Sequence, residues 1–127
     1  MIVGIGTDIV EVERIQKMMS DHGDHFLERV FTAAEIAHCQ PRREAAQHFA
    51  GRWAAKEAVM KALGTGFTPE VGWTDIEILT LPSGQPYVVM HGTARTYSEN
   101  KGIGTILITL SHTKTYATAT AIGLARS

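Results

Sequence analysis

Near the middle of the chain, the run "GRWAAKEAVMKALGTG" places Lys56, Glu57 and Lys61 inside a stretch otherwise made of alanine and large apolar residues. On a helix turning about 100° per residue, Phe49, Trp53, Met60 and Leu63 form one apolar stripe. Lys56 falls inside that stripe, Glu57 lies on its edge, and Lys61 follows one turn later on Glu57's side. A lysine among core-facing residues must snorkel, pair or meet an anion. Glu57 and Lys61 alone also read as an i,i+4 pair on a solvated face, worth only a few tenths of a kcal/mol. One carboxylate with two ammonium groups, above the small Ala50 and Ala54, suits a metal-bridged phosphate. Oxygen ligands hold magnesium there, and the ammonium groups neutralise the remaining phosphate charge. Such a site needs a second carboxylate or phosphate oxygens. Asp8 is the best second candidate, because it interrupts the apolar "MIVGIGTDIV", where an uncompensated charge is costly. Asp8 also reads as a strand-end acid bonded to backbone.

The elements that must position these residues follow from pattern. "MIVGIGTDIV" reads as a buried first strand, with Gly4 and Gly6 where side chains would crowd. "VERIQKMM" is a short amphipathic helix broken by "DHGDH", and "FLERVF" is a second short helix. "TAAEIAHC" has Thr32 and Glu35 at capping-box spacing and ends at Pro41. The longest helix is expected over 43–63, with Gly64 as a left-handed cap. "TDIEILTL", a turn at "PSGQP" and "YVVMHG" form a hairpin. "TARTYSENK" is a helix ended by Gly102, and "GTILITLSHT" with "YATATAIGLA" forms a second hairpin. The order strand–helices–hairpin–helix–hairpin predicts an α+β fold, a mainly antiparallel sheet packed on one long helix.

The chain has 127 residues, and one domain spanning 1–127 is expected. Its net charge of −1 argues against a general nucleic-acid or membrane binder. The single cysteine, Cys39, allows no disulfide within the chain and favours a reducing, cytoplasmic setting. No basic stretch precedes the first apolar residues, so no signal peptide is expected. No apolar run is long enough to span a bilayer.

Taken together, "GIGTDIVEVERI", "FAGRWAAKEAVMKALGTG" and the late "LSHT" resemble the holo-acyl-carrier-protein synthases, the short bacterial-type 4′-phosphopantetheinyl transferases. "TAAEI" and "GQPY" fit the same pattern, and the resemblance covers nearly the whole chain. It implies transfer of 4′-phosphopantetheine from coenzyme A to a serine of an apo acyl carrier protein, with release of adenosine 3′,5′-bisphosphate. It also implies Mg2+ and a homotrimer with sites shared between subunits. Asp8 and Glu57 match the family's metal ligands, and Lys61 the lysine near the scissile phosphate. The resemblance makes Glu57, directly or through a metal-held water, the first choice of base for the serine hydroxyl, and Asp8 the second. Arg52 and Lys56 would meet coenzyme A phosphates, with Arg52 at the 3′-phosphate because of its fork of donors. Ser111, His112 and Thr113 match a loop against the ribose and 3′-phosphate. Gly64, Thr65 and Gly66 would let backbone approach the nucleotide, and Gln85 and Pro86 match a turn near the adenine. Arg14, with Lys17 and Arg29, would form the docking surface for an acidic carrier. Scattered solvated charges are the plain alternative for those three.

Other signals are weaker. "DHGDH" is a polar helix-ending loop rather than a metal cluster, and His38–Cys39 lacks the paired spacing of a zinc site. "GIGTDI" lacks the third glycine of a dinucleotide fingerprint. Ser111 and His112 are adjacent in a strand and point to opposite faces, which excludes a hydrolase pair. Two alternatives compete with the transferase: a non-catalytic coenzyme A or nucleotide-binding module, and a metal-dependent phosphohydrolase using water in place of the carrier serine.

Overall fold

The computed structural model describes residues 1–65 and 71–127. Strand β1 (Ile2–Glu11) leads into helices α1 (Val12–His22), α2 (Asp24–Val30), α3 (Ala33–Cys39) and α4 (Ala45–Leu63). After a 3-10 turn (Trp73–Asp75) come β2 (Ile76–Thr80), β3 (Pro86–Met90), α5 (Gly92–Asn100), β4 (Ile103–His112) and β5 (Tyr116–Ala125). Every ladder is antiparallel, and the strands form two sheets, β1–β5–β4 and the hairpin β2–β3. A cleft of about 830 Å³ separates β3 from β4.

Local chemistry explains the boundaries. Thr32 Oγ1 accepts from the Glu35 backbone N–H while Glu35 Oε1 accepts from the Thr32 N–H, so α3 opens with the expected reciprocal cap. Helix α1 runs through Asp21 and His22, further than the pattern suggested, and stops only at Gly23, whose φ of 53° interrupts the helix. Gly64 caps α4 in the left-handed region, its N–H returning to the Met60 and Lys61 carbonyls.

Helix α4 is the spine of the core. Phe49, Ala50, Ala54, Ala55, Ala58, Val59 and Leu63 are all fully buried, and apolar residues meet neighbours on nearly every side of it. Its closest partner is β1, and glycine makes the approach possible. A Cβ on Gly4 would stand 2.2 Å from the Ala62 carbonyl oxygen, and one on Gly6 2.1 Å from that of Ala58. Gly6→Ala is therefore expected to destabilise the fold by roughly 3 kcal/mol, the upper end for overpacking against backbone that cannot move aside. Chemical denaturation would measure it, and a loss below about 1 kcal/mol would show that α4 can retreat.

The expected fully buried first strand is corrected in one respect. β1 is an edge strand with one face on α4 and the other outward, where Ile5 and Ile9 are 67% and 66% exposed. The register lines Ile5 with Ile122 of β5 and Ile122 with Leu107 of β4, so an apolar band crosses the outer face.

Candidate active site

The glycines that let β1 approach α4 also deliver the site. Side chains alternate along a strand, so Gly4, Gly6 and Asp8 share the face turned toward α4. Gly4 lies at Ala62 and Gly6 at Ala58, so Asp8 comes next along the helix, level with Glu57. Asp8 acts on Glu57 through both its charge and a side-chain hydrogen bond. Lys61 reaches across from α4, 3.1 Å from Asp8 Oδ1, and donates to the Thr7 carbonyl at 2.9 Å. It bridges helix to strand rather than closing a simple pair with Glu57.

Partial burial raises the Glu57 pKa above the usual carboxylate range, and the neighbouring Asp8 charge and hydrogen bond raise it further. Lys61 and Arg14 oppose that shift without cancelling it. Two acids pressed together in this way are what a divalent cation relieves. Both offer hard oxygen donors, the kind magnesium prefers. Among the described residues no third His, Cys, Asp or Glu joins them, so substrate phosphate oxygens and water would have to complete a magnesium shell. Arg14 lies beside this pair with its guanidinium 5.5 Å from the Trp53 ring centroid, and a cavity of about 430 Å³ opens alongside between Ile9, Val10, Glu11, Arg14 and Tyr116.

One step of about 100° around the helix separates Lys56 from Glu57, and that step sends Lys56 elsewhere. The expectation that Lys56 meets a coenzyme A phosphate is corrected by the structure. Its side chain is fully buried, and its ammonium lies 2.8 Å from Glu35 Oε1. It also donates to the Trp73 carbonyl at 3.0 Å and the Ile76 carbonyl at 2.5 Å. An ammonium has three N–H donors, and all three are used inside the protein. Burial lowers the Lys56 pKa, with Glu35 pulling the other way. Lys56 joins α4 to α3 and β2.

Arg52, one turn before Lys56, opens onto a different place. It is only 4% exposed and Nη2 donates to Thr80 Oγ1 at 2.7 Å, while the buried Nε has no partner among the described residues. Arg52 lines a cavity of about 240 Å³ with His38, Arg42, His48, Thr80, Gly84, Pro86 and Leu110. His48 meets the His112 ring edge-on at 5.2 Å. Among the described residues the lining carries arginine and histidine and no carboxylate, a composition suited to an anion.

The other candidates divide. Pro86 lines that pocket, and Gln85 stands in the same hairpin turn. His112 lies on the helix side of β4 with His48, whereas the adjacent Ser111 is exposed on the outer face. The Thr113 hydroxyl is committed to the β4–β5 turn, accepting from the Thr115 and Tyr116 backbone N–H groups. Gly64 lies at the end of α4, where an added Cβ would stand 3.1 Å from the Lys101 ammonium. Thr65 follows it, with its hydroxyl 3.7 Å from Met60 Sδ. Gly66 lies outside the described residues. Lys17 pairs with Asp21 at 3.1 Å, and Arg29 is exposed in the last turn of α2. Sequence reasoning missed Arg42, His48 and Thr80, and weighed His38 only as a zinc fragment. Of the three missed, His48 left a signal, standing four residues before Arg52 and so on the same helical face.

Comparison with known proteins covers nearly the whole chain. Residues 4–121 match the family model of the 4′-phosphopantetheinyl transferase superfamily. The chain is 50% identical over 118 residues to the holo-[acyl-carrier-protein] synthase of Rhodopirellula baltica, covering 93% of this chain and 94% of that one. The crystal structure of holo-[acyl-carrier-protein] synthase from Neisseria meningitidis superposes with a TM-score of 0.90 at 31% identity, covering 98% and 99% of the two chains. The Helicobacter pylori synthase, solved in complex with coenzyme A, gives a TM-score of 0.84 at 30% identity, covering 94% and 99%.

Proposed function

This chain belongs to the 4′-phosphopantetheinyl transferase superfamily, among its holo-acyl-carrier-protein synthases, and we infer how its residues divide the work of that reaction. The enzyme moves 4′-phosphopantetheine from coenzyme A to a serine of an acyl carrier protein. The observation that carries the assignment of roles is the contact of Asp8 with Glu57 at the foot of Lys61. The serine oxygen forms a bond to the phosphorus that bears the pantetheine arm. The bond from that phosphorus to the bridging oxygen breaks, and adenosine 3′,5′-bisphosphate leaves with the electron pair. Glu57, directly or through a metal-held water, takes the serine proton. Lys61 balances the charge that develops on the leaving oxygen. Asp8 and Glu57 would hold Mg2+, which supplies charge neutralisation at the diphosphate when bound.

Arg52 and His112 receive the 3′-phosphate, with Gln85 and Pro86 at the adenine end. Ser111, on the opposite face of β4 from His112, and Thr113, whose hydroxyl is held in the β4–β5 turn, would meet a nucleotide only across a subunit boundary, and Gly64 and Thr65 would let backbone approach it. Ser111 points to the outer sheet face, beside the exposed apolar band of Ile5, Ile9 and Leu107. A band of that kind marks an association surface. It supports a homotrimer in which one subunit completes its neighbour's site, and sedimentation would test the stoichiometry. Among the described residues no helix is long and apolar enough to cross a membrane, and we place the reaction in the cytoplasm, with the lone thiol of Cys39 buried and unoxidised.

Incubation with coenzyme A, magnesium and an apo carrier, followed by weighing the carrier, tests the whole reading. A gain of one phosphopantetheine supports it. Binding without gain, or cleavage of coenzyme A without a carrier, would favour a nucleotide-binding module or a phosphohydrolase.

We assign Arg14, Lys17 and Arg29 to docking of the acidic carrier, with Arg14 near enough to Glu57 to oppose the rise in its pKa. Arg14→Ala is expected to raise the carrier KM by about tenfold, the effect of one charge-assisted contact. Coenzyme A affinity should stay near the wild-type value. Weakened coenzyme A binding instead would move Arg14 into the nucleotide site.

A further inference from the structure

We propose that His48 is a phosphate-binding residue through which the enzyme distinguishes coenzyme A from its 3′-dephospho form. The proposal rests on the reading that the Arg52 pocket receives the 3′-phosphate. Its evidence is the composition of that pocket. His38, Arg42, His48 and Arg52 line it, His112 touches the His48 ring, and no carboxylate is present among the described lining residues. Arg52 is 4% exposed, and its Nε has no acceptor among the described residues. A buried cationic donor left without an acceptor is costly. A phosphate monoester supplies three acceptor oxygens and between one and two negative charges.

His48 stands one helical turn before Arg52 and lines the same cavity, half-buried. Around it are His112 from β4, His38 from α3, Arg42 from the α3–α4 connection and Arg52 from α4. Desolvation first, then these cationic neighbours, hold its pKa below the ordinary imidazole value. His38 is lowered likewise, by desolvation and then by Arg52 and Arg42. The free pocket therefore favours the neutral form of His48. An entering dianion reverses the balance and raises its pKa, so binding takes up a proton. By that linkage coenzyme A binding weakens as pH rises through the imidazole range. A ligand whose 3′ position carries only a hydroxyl has no dianion to pull the proton, so its affinity stays flat.

The test is calorimetric titration of coenzyme A and 3′-dephospho-coenzyme A into wild type, His48→Gln and His48→Arg, with magnesium, at about pH 6 and about pH 8. Wild type should prefer coenzyme A, and more strongly at the lower pH. His48→Gln should lose about tenfold of that preference and show a shallower pH dependence. His48→Arg, with a permanent charge, should keep the preference and show a shallower pH dependence than wild type, with His38 supplying what remains. A purely structural role would shift both ligands together. A His48→Gln protein with wild-type preference and pH dependence overturns the proposal. A wild type that binds both ligands equally overturns the underlying 3′-phosphate reading and the proposal with it.

Discussion

Glu57→Gln is expected to abolish transfer, by about a thousandfold or more, and at the same time to make the free protein more stable at neutral pH. The two effects have one cause. Glu57 is held partly desolvated against Asp8, and its pKa is raised for that reason. A carboxyl whose folded pKa lies above its unfolded value contributes most stability in acid. That contribution is lost as pH rises through the raised value. Above it, wild type carries two adjacent carboxylates, and glutamine removes one of them. The Tm of the variant should therefore exceed that of wild type near pH 7, with the difference vanishing below about pH 4, where Glu57 is protonated in both states. Magnesium should raise the wild-type Tm by relieving the same repulsion, and should raise that of the variant less. Transfer near the wild-type rate, or a magnesium response identical in the two proteins, would remove Glu57 from the reacting centre.

The second large effect concerns stability rather than turnover. Lys56→Met should destabilise the fold by about 3–5 kcal/mol, because it leaves Glu35 buried without its counter-charge. The Glu35 carboxylate also accepts the Thr32 and Ile78 backbone N–H groups, so α3 and β2 are expected to loosen together. Lys56→Met, Glu35→Leu should recover part of the loss, since a buried pair is easier to replace than to break. Urea denaturation measures all three proteins. A Lys56→Met protein that keeps wild-type stability but loses coenzyme A affinity would return Lys56 to the phosphate site.

That pair of lysines shows how far sequence reading reaches. Lys56 and Lys61 are both cations in one apolar helix, and the wheel places Lys56 inside the apolar stripe and Lys61 on the side of Glu57, at its edge. The wheel fixes their relative angle, and it cannot say what stands opposite each. Lys61 faces the strand that Gly4 and Gly6 draw close, and it finds Asp8. Lys56 faces the capping glutamate of α3, and it finds Glu35. Glu35 was legible as a cap but not as a counter-ion, because a capping box is a local pattern and the ion pair spans distant segments.

The nucleotide end divides in the same way. Arg52 stood out by type, but its cavity is assembled from α3, α4, the β2–β3 hairpin and β4. His38 read as half of an incomplete zinc motif, and in the fold it lines an anion pocket. His112 and Ser111 were separable in advance, since strand alternation sends neighbours to opposite faces.

What the sequence determined by itself was periodic and local: the α+β order of elements, the caps at Thr32 and Gly64, the close approach at Gly4 and Gly6, and the acids that a phosphate chemistry needs. What only the tertiary structure decided was pairing across long separations: Lys61 with Asp8, Lys56 with Glu35, and His48 with His112. The physical reason is that backbone propensity acts over one or two turns, whereas the charge state and role of a side chain depend on whatever the fold brings within a few ångströms of it.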